Sequence, residues 1–374
     1  MKKIKILHVV SSFNPSEGGP PKSIENLVFS LKNKNFNNTL LTTSNIKIKN
    51  NYFNKICKEK LLFKNFYFPS FLMIRLIWNQ VKKNEIIHLH NYWNFVIFFA
   101  LQIALIQKKK IILTPHGCLD RYNIKKNYFK KKLFFHLFGK YQLKKINLFH
   151  YLSKKEKQNS FIKNKFKLNY FILSNYVNHV KNVKKTSQIK KNFLNFTYLG
   201  RLNRIKNISF QLLVISKISK VYKDIIFNII GPNNNNERKY LNKLSKNLKI
   251  KSFLRFHEPI YGNKKYRILK QSDFVFLTSF YECNSMLALE VVACGGVLLT
   301  TKNCNLDFLI ECKAALEVNT NYHKASKQIL DLIKNKKMTD KVRLNATSYS
   351  LKYNDKFFGQ KISINYSNLF NKTY

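Results

Sequence analysis

Short apolar runs alternate with longer amphipathic stretches along most of the chain, and this alternation limits the fold more than any other feature. Runs at 4–10, 39–43, 86–90, 111–114, 148–152 and 170–173 have the length and content of buried strands. A helix is predicted over 23–31, opened by the N-cap chemistry of Ser23, with Ile24, Leu27, Val28 and Leu31 on one face. From 178 to 192 the text is polar, lysine-rich and without apolar period, as in a linker. The pattern then restarts, with strands at 196–199, 225–230, 253–256, 274–278 and 297–300 and helices between them. Such alternation on both sides of a linker predicts an α/β protein of two Rossmann-like, doubly wound domains. The boundaries read 1–177, linker 178–192, and 193–352. Tyr353, Phe357, Phe358, Ile362 and Leu369 mark a last helix in 353–374 that returns to the first domain. Ligands of such sheets sit beyond the carboxyl ends of the strands, so two facing domains predict a cleft.

Composition narrows the function. The 374 residues carry a formal net charge of +50, yet 45% are hydrophobic, enough for real cores. Lys, Asn, Ile, Phe and Tyr are abundant together, the residues of A- and T-rich codons, so the charge reads first as compositional drift. A nucleic-acid-binding protein is the rival reading. It calls for basic residues clustered beside exposed aromatics, whereas here they are spread almost everywhere. No stretch of 18 apolar residues spans a membrane, and 95–106 reads as a buried helix. The first residues lack the long apolar region and cleavage site of a signal peptide. The six cysteines show no metal-type spacing and are expected as reduced thiols, in a soluble cytoplasmic protein.

One window runs against the bias. From 271 to 301 there is no Lys or Arg, where the chain average predicts about 5.6. Its only charges are Asp273, Glu282 and Glu290. A buried strand–helix unit explains the missing lysines but not two glutamates, because an unpaired buried carboxylate costs several kcal/mol. Either they accept from ligand hydroxyls, which requires them free of basic partners, or they serve as a cap and an ion pair.

Read from Ser279 through Glu282, Ser285, Met286, Leu287 and Glu290 to Gly295-Gly296, this window resembles the nucleotide-sugar signature of glycosyltransferase family 4. Other motifs follow in order: Gly18-Gly19-Pro20, His88-Leu89-His90, Thr114-Pro115-His116-Gly117, Gly200-Arg201 to Lys206, and Ile230-Gly231-Pro232. The resemblance implies the GT-B architecture, with an acceptor-side first domain and a donor-binding second domain. It implies a retaining transferase that moves a hexose from a nucleoside diphosphate sugar to a glycan or lipid-linked acceptor in cell-surface polysaccharide synthesis. A nucleotide-sugar hydrolase or epimerase of the same fold is the alternative. His116 and Glu282 are implied as catalytic. Gly18, Gly19, Arg201, Lys206, Ser285, Met286, Leu287 and Glu290 are implied as donor-binding.

The residue types suit these roles. A diphosphate needs Arg or Lys and oriented N–H groups. Arg201 and Lys206 follow a strand, five apart, and a helix opening near Ser285 aims its positive end at the same phosphates. Glu290 suits ribose and Glu282 the transferred sugar. In so basic a chain, solvated surface charges are the competing reading of Arg201 and Lys206, and a core histidine that of His116. His88 and His90 share a strand face, but without a visible third ligand no metal is predicted. No other cofactor is implied either. Ser285 stands where the family has glycine, Ser174-Asn175-Tyr176 where Pro-Asn-Gly is common, and Gly296-Val297 lacks a proline. Between 127 and 145, Phe129, Leu133, Phe134, Leu137, Phe138 and Tyr141 recur at helical spacing among lysines. That face either packs into the domain or meets an anionic membrane surface on the cytoplasmic side.

Overall fold

Strands and helices do alternate, in two separate sets. The structure, a computed structural model, describes residues 3–14, 19–43, 52–63, 67–180, 193–233 and 236–371. Gly18 and most of the expected linker, 181–192, lie outside the described residues. The chain divides into two units: Met1–Asn175 with Asp355–Tyr374, and Tyr176–Asn354.

The first unit holds β1 (Ile4–Val9), β2 (Phe36–Thr42), β3 (Lys55–Lys58), β4 (Leu61–Phe63), β5 (Phe68–Pro69), β6 (Ile86–His90), β7 (Lys110–Thr114), β8 (Leu148–Tyr151) and β9 (Tyr170–Ile172). Seven of them form a parallel sheet in the order β3-β2-β1-β6-β7-β8-β9, and β4 pairs antiparallel with β5. The strand order reverses between β1 and β6, where a doubly wound sheet opens a crevice at its carboxyl edge. Helix Phe95–Ile106 packs on this sheet. It is apolar on nearly all sides, and Asn94 caps it by accepting from the Ile97 N–H. Leu7, Val9, Ile87, Leu89, Ile111 and Leu113 meet Val96, Ala100 and Leu101 in one core. Each fully buried aliphatic side chain of Val or Leu size contributes about 1.5–3 kcal/mol. Helix Asp355–Asn371 also belongs to this unit and buries Phe358, Ile362, Tyr366 and Leu369. It crosses helix Gly19–Ser30 at Gly359, where any Cβ would run into the Ser30 carbonyl.

The second unit holds β10 (Leu194–Leu199), β11 (Ile225–Ile230), β12 (Leu254–His257), β13 (Phe274–Leu277), β14 (Leu298–Thr300) and β15 (Leu316–Glu317). They form a parallel sheet ordered β12-β11-β10-β13-β14-β15, with its reversal between β10 and β13. Phe196 stacks between Phe274 and Phe276 under that reversal. The first two strand ends close on each other through glycine. Gly200 and Gly231 have φ of +155° and +145°, and a Cβ on Gly231 would overlap the Gly200 carbonyl.

The segment after 127 departs from the expected single helix. It consists of helix Tyr128–Phe134, a π-helical turn Phe135–Gly139 and helix Lys140–Lys144. Phe135, Gly139, Gln142 and Leu143 are the buried residues of the π-helical turn and the helix after it. Phe129, Leu133, Leu137, Phe138 and Tyr141 are exposed instead, which removes the reading of that face as domain core. Among the described residues, no helix is long and apolar enough to cross a membrane.

Candidate functional site

Two clusters of polar side chains form, one at the reversal of each sheet. In the second unit the loops leaving β10 and β13 are joined by a backbone hydrogen bond, Phe280 N–H to the Ile205 carbonyl at 2.8 Å. This bond brings Lys206 to Glu282. Lys206 Nζ lies 2.5 Å from Glu282 Oε1, which also accepts from the Ser279 hydroxyl at 2.7 Å. Asn305 Nδ2 donates to the Glu282 carbonyl at 2.7 Å and fixes the loop. Arg201 is half-buried beside them and makes no ion pair among the described residues; its carbonyl accepts from the Tyr198 hydroxyl at 2.8 Å. Burial, and then the Glu282 charge, raise the Tyr198 phenol well above its ordinary pKa, so it stays a donor.

Helix Met286–Ala293 starts from the same loop. Ser285 is its N-cap, accepting from the Ala288 N–H. The first-turn N–H groups, Met286 and Leu287 among them, have no intrahelical acceptor and leave a positive end beside Glu282. Glu290, in the second turn, is 6% exposed and lies 2.5 Å from Lys265 Nζ. The expectation that the two glutamates are free of basic partners is therefore corrected. Lys265 comes from helix Gly262–Gln271, just outside the lysine-free window, and Lys206 from far upstream. A linear window cannot show neighbours brought in by the fold. Burial, and then Glu290, push the nearby Tyr266 up to about 12.

In the first unit, five histidines converge. His8 on β1 stands opposite His88 on β6, and His90 opposite Thr114 on β7. Burial lowers all of them: His8 and His150 to about 4, His116 to about 3, and His88 and His90 well below 6.5. They are neutral at pH 7, so each ring has one N–H and one lone pair. That fixes one hydrogen-bond chain. His150 Nε2 must donate to the Leu173 carbonyl at 2.9 Å, so its Nδ1 accepts from the Thr114 hydroxyl at 3.1 Å. Thr114 in turn accepts from His88 Nε2 at 2.7 Å, and His88 Nδ1 accepts from the Tyr366 hydroxyl at 2.6 Å.

A second chain ends on His116. Asn38 Oδ1 accepts from His8 Nε2 at 3.1 Å, and His8 Nδ1 accepts from His90 Nε2 at 3.2 Å. His90 Nδ1 then accepts from His116 Nε2 at 3.2 Å, leaving the lone pair of His116 on Nδ1. His116 is half-buried and held at φ +50°, a conformation that costs a non-glycine residue about 1 kcal/mol or more. Gly19 opens helix Gly19–Ser30 in the same unit.

The third imidazole missing from the sequence reading exists. His8, His88 and His90 each present a nitrogen within 4.8 Å of the others. All six of their ring nitrogens are hydrogen-bonded, so a cation there would have to displace those bonds. Sequence reading also missed Glu156. Its carboxylate accepts from the Gly117 and Leu152 N–H groups, both at 2.6 Å, and steadies the loop after His116. The Ser153-x-x-Glu156 spacing, a capping-box pattern, was the available signal; Ser153 does cap helix Lys154–Asn159.

Residues 179–349 match the family described as glycosyl transferases group 1. No curated protein matches the sequence significantly. Among solved structures, Anabaena HepE in complex with UDP-glucose is similar with a TM-score of 0.78 at 13% identity, covering 98% of this chain and 100% of that one. Sucrose-phosphate synthase from Thermosynechococcus elongatus gives 0.77 at 14%, covering 98% and 99%. A glycosyltransferase from Rickettsia africae gives 0.77 at 16%, covering all of both chains. The fold is thus GT-B, with two Rossmann-like domains, as the alternation predicted. The resemblance to family 4 is corrected: the match over 179–349 is to the glycosyl transferases described as group 1. The expectation of a sugar transferase agrees with the family match over 179–349.

Proposed function

We propose that this chain transfers a hexose from a nucleoside diphosphate sugar to an acceptor hydroxyl, with retention at the anomeric carbon. The carrying observation is the grouping of Arg201, Lys206, Glu282 and the first turn of helix Met286–Ala293 at the reversal of the second sheet. Arg201 supplies an unpaired guanidinium for the diphosphate, and Lys206 shares its charge between Glu282 and the phosphates. The N–H groups of Met286 and Leu287 face the same anion, with Ser285 holding the turn. Glu290 accepts from ribose and Glu282 from the sugar, each also paired with a lysine. His116, neutral and with its tautomer fixed, has a lone pair to offer a hydroxyl, and Gly18 and Gly19 keep the donor-binding role that the resemblance implies. The leaving diphosphate itself guides the acceptor hydroxyl on the same face, so no protein base is required.

The acceptor in this reading is a glycan or lipid-linked glycan of a cell-surface polysaccharide, met at the cytoplasmic face of a membrane. The exposed Phe129, Leu133, Leu137, Phe138 and Tyr141 among Lys130, Lys132, Lys140, Lys144 and Lys145 support that location. A thermal-shift panel of nucleoside diphosphates tests the donor site; a ligand at 100 times its dissociation constant stabilises by about 2.7 kcal/mol. No shift with any of them would sink the proposal. Product analysis with and without acceptor separates transfer from hydrolysis. Sedimentation with neutral and anionic vesicles at low salt tests the location.

A further inference from the structure

A cavity of about 340 Å³ opens in the first unit, and its chemistry is divided. Aromatic rings form one part. Phe161 lies 5.1 Å from Phe135 and 6.0 Å from Trp93, centroid to centroid, and all three line the cavity. Five cations form the other: Arg121, Lys125, Lys131, Lys132 and Lys165. No Asp or Glu lines it, and none of the five is paired with a carboxylate among the described residues. Instead Lys131 sits 5.7 Å over the Trp93 ring and Lys165 5.6 Å over Phe135, with Lys131 Nζ donating to the Asn123 carbonyl at 2.7 Å. Burial lowers the pKa of Lys131, as expected for a cation held among rings without a counter-ion.

The walls are tied to the loop that carries His116. Trp93 Nε1 donates to the Cys118 carbonyl at 2.7 Å, and Asn123 Nδ2 to the Gly117 carbonyl at 2.8 Å. Five like charges around one apolar space repel one another, and a compact polyanion relieves that repulsion. The rings ask for an apolar body joined to the same ligand. Helix Tyr128–Phe134, which contributes Lys131 and Lys132, also carries the exposed Phe129 and Leu133, so the apolar character continues outside.

We propose that this cavity receives a diphosphate esterified to an apolar chain, the cations holding the diphosphate and the rings the first part of the chain. The inference rests on the reading of the protein as a transferase with a lipid-linked acceptor, and it assigns the acceptor's anchor to named residues. The chain has two tryptophans, Trp78 and Trp93, so in a Trp78→Phe background fluorescence reports Trp93 alone. Farnesyl diphosphate, inorganic diphosphate and farnesol are titrated in saturating UDP, which blocks the second unit's own diphosphate site. Farnesyl diphosphate is expected to saturate and to bind at least about tenfold more tightly than either other probe. Arg121→Gln with Lys125→Gln is expected to weaken it by about tenfold or more, and Phe161→Ala to narrow its lead over inorganic diphosphate. Inorganic diphosphate binding equally well would leave an anion site only, and farnesol equally well a greasy crevice only; either overturns the proposal. Displacement by a single-stranded oligonucleotide at lower concentration would overturn it in favour of nucleic acid. A UDP thermal shift on the same sample separates the two failures. UDP binding without a farnesyl diphosphate response rejects the cavity and keeps the transferase, whereas the converse result rejects the donor site.

Discussion

Tyr366 donates its hydroxyl to His88 Nδ1 at 2.6 Å across 278 residues of sequence. Both side chains are fully buried, one on helix Asp355–Asn371 and one in the middle of the first sheet. The bond ends a chain that runs through Thr114 and His150 to the Leu173 carbonyl, and that carbonyl, which can only accept, sets the direction of each bond in it. The last helix is joined to the sheet through this bond as well as through its apolar face.

Tyr366→Phe removes the donor and leaves a buried acceptor unsatisfied. A loss of about 1–3 kcal/mol is expected. Urea unfolding followed by near-ultraviolet circular dichroism reads it. An unchanged midpoint would mean that the hydroxyl contributes nothing there.

The five clustered histidines give the protein a predictable response to acid. Their folded pKa values lie below the unfolded value near 6.5, so below that pH the unfolded chain binds more protons. Stability is complete above about pH 6.5 and falls as pH drops toward about 4, by up to about 1.4 kcal/mol per pH unit for each histidine. Melting temperatures from pH 7.5 to 5 should decline steeply. A flat profile would show that these rings are not held neutral. Nitrogen-15 spectra at pH 7 should show all five as Nε2–H tautomers.

The alternation of apolar runs was enough to read both sheets, because a strand buried on both faces needs an unbroken apolar run whatever surrounds it. β3, β4 and β15 escaped because they are short and mostly not buried, so little in their composition marks them. The site residues were legible as types and spacings. Their partners were not: Lys265 reaches Glu290 from another helix, and His8 meets His90 only through strand register. The apolar face after 127 was legible as a face, but its exposure was not, because periodicity alone does not show whether a neighbour covers it.

Lys206 and Glu282 make opposite demands on nucleotide binding. Lys206→Ala should weaken UDP by about ten- to a hundred-fold, since a charged hydrogen bond contributes about 1.5–3 kcal/mol. Glu282→Gln frees the lysine for the phosphates, so UDP affinity should hold or rise while turnover falls. Calorimetry and initial rates on both variants check this. Equal loss of UDP affinity in the two would mean that the ion pair acts only as a scaffold.

Lys265 and Glu290 allow the ribose assignment to be tested apart from folding. Glu290 is 6% exposed, so Lys265→Met leaves a nearly buried carboxylate without its counter-ion and should destabilise the second unit by about 1–3 kcal/mol. Glu290→Gln removes the charge instead and should cost less stability. The two should separate differently with ligand. If Glu290 accepts from ribose hydroxyls, wild type and Lys265→Met both prefer UDP over its 2′,3′-dideoxy analogue, by about tenfold or more. Glu290→Gln should lose most of that preference and bind the dideoxy compound about as wild type does. Calorimetric titration of the three proteins with the two nucleotides gives the ratios directly. A full preference for ribose retained in Glu290→Gln would remove Glu290 from the nucleotide site and leave it as the partner of Lys265 alone.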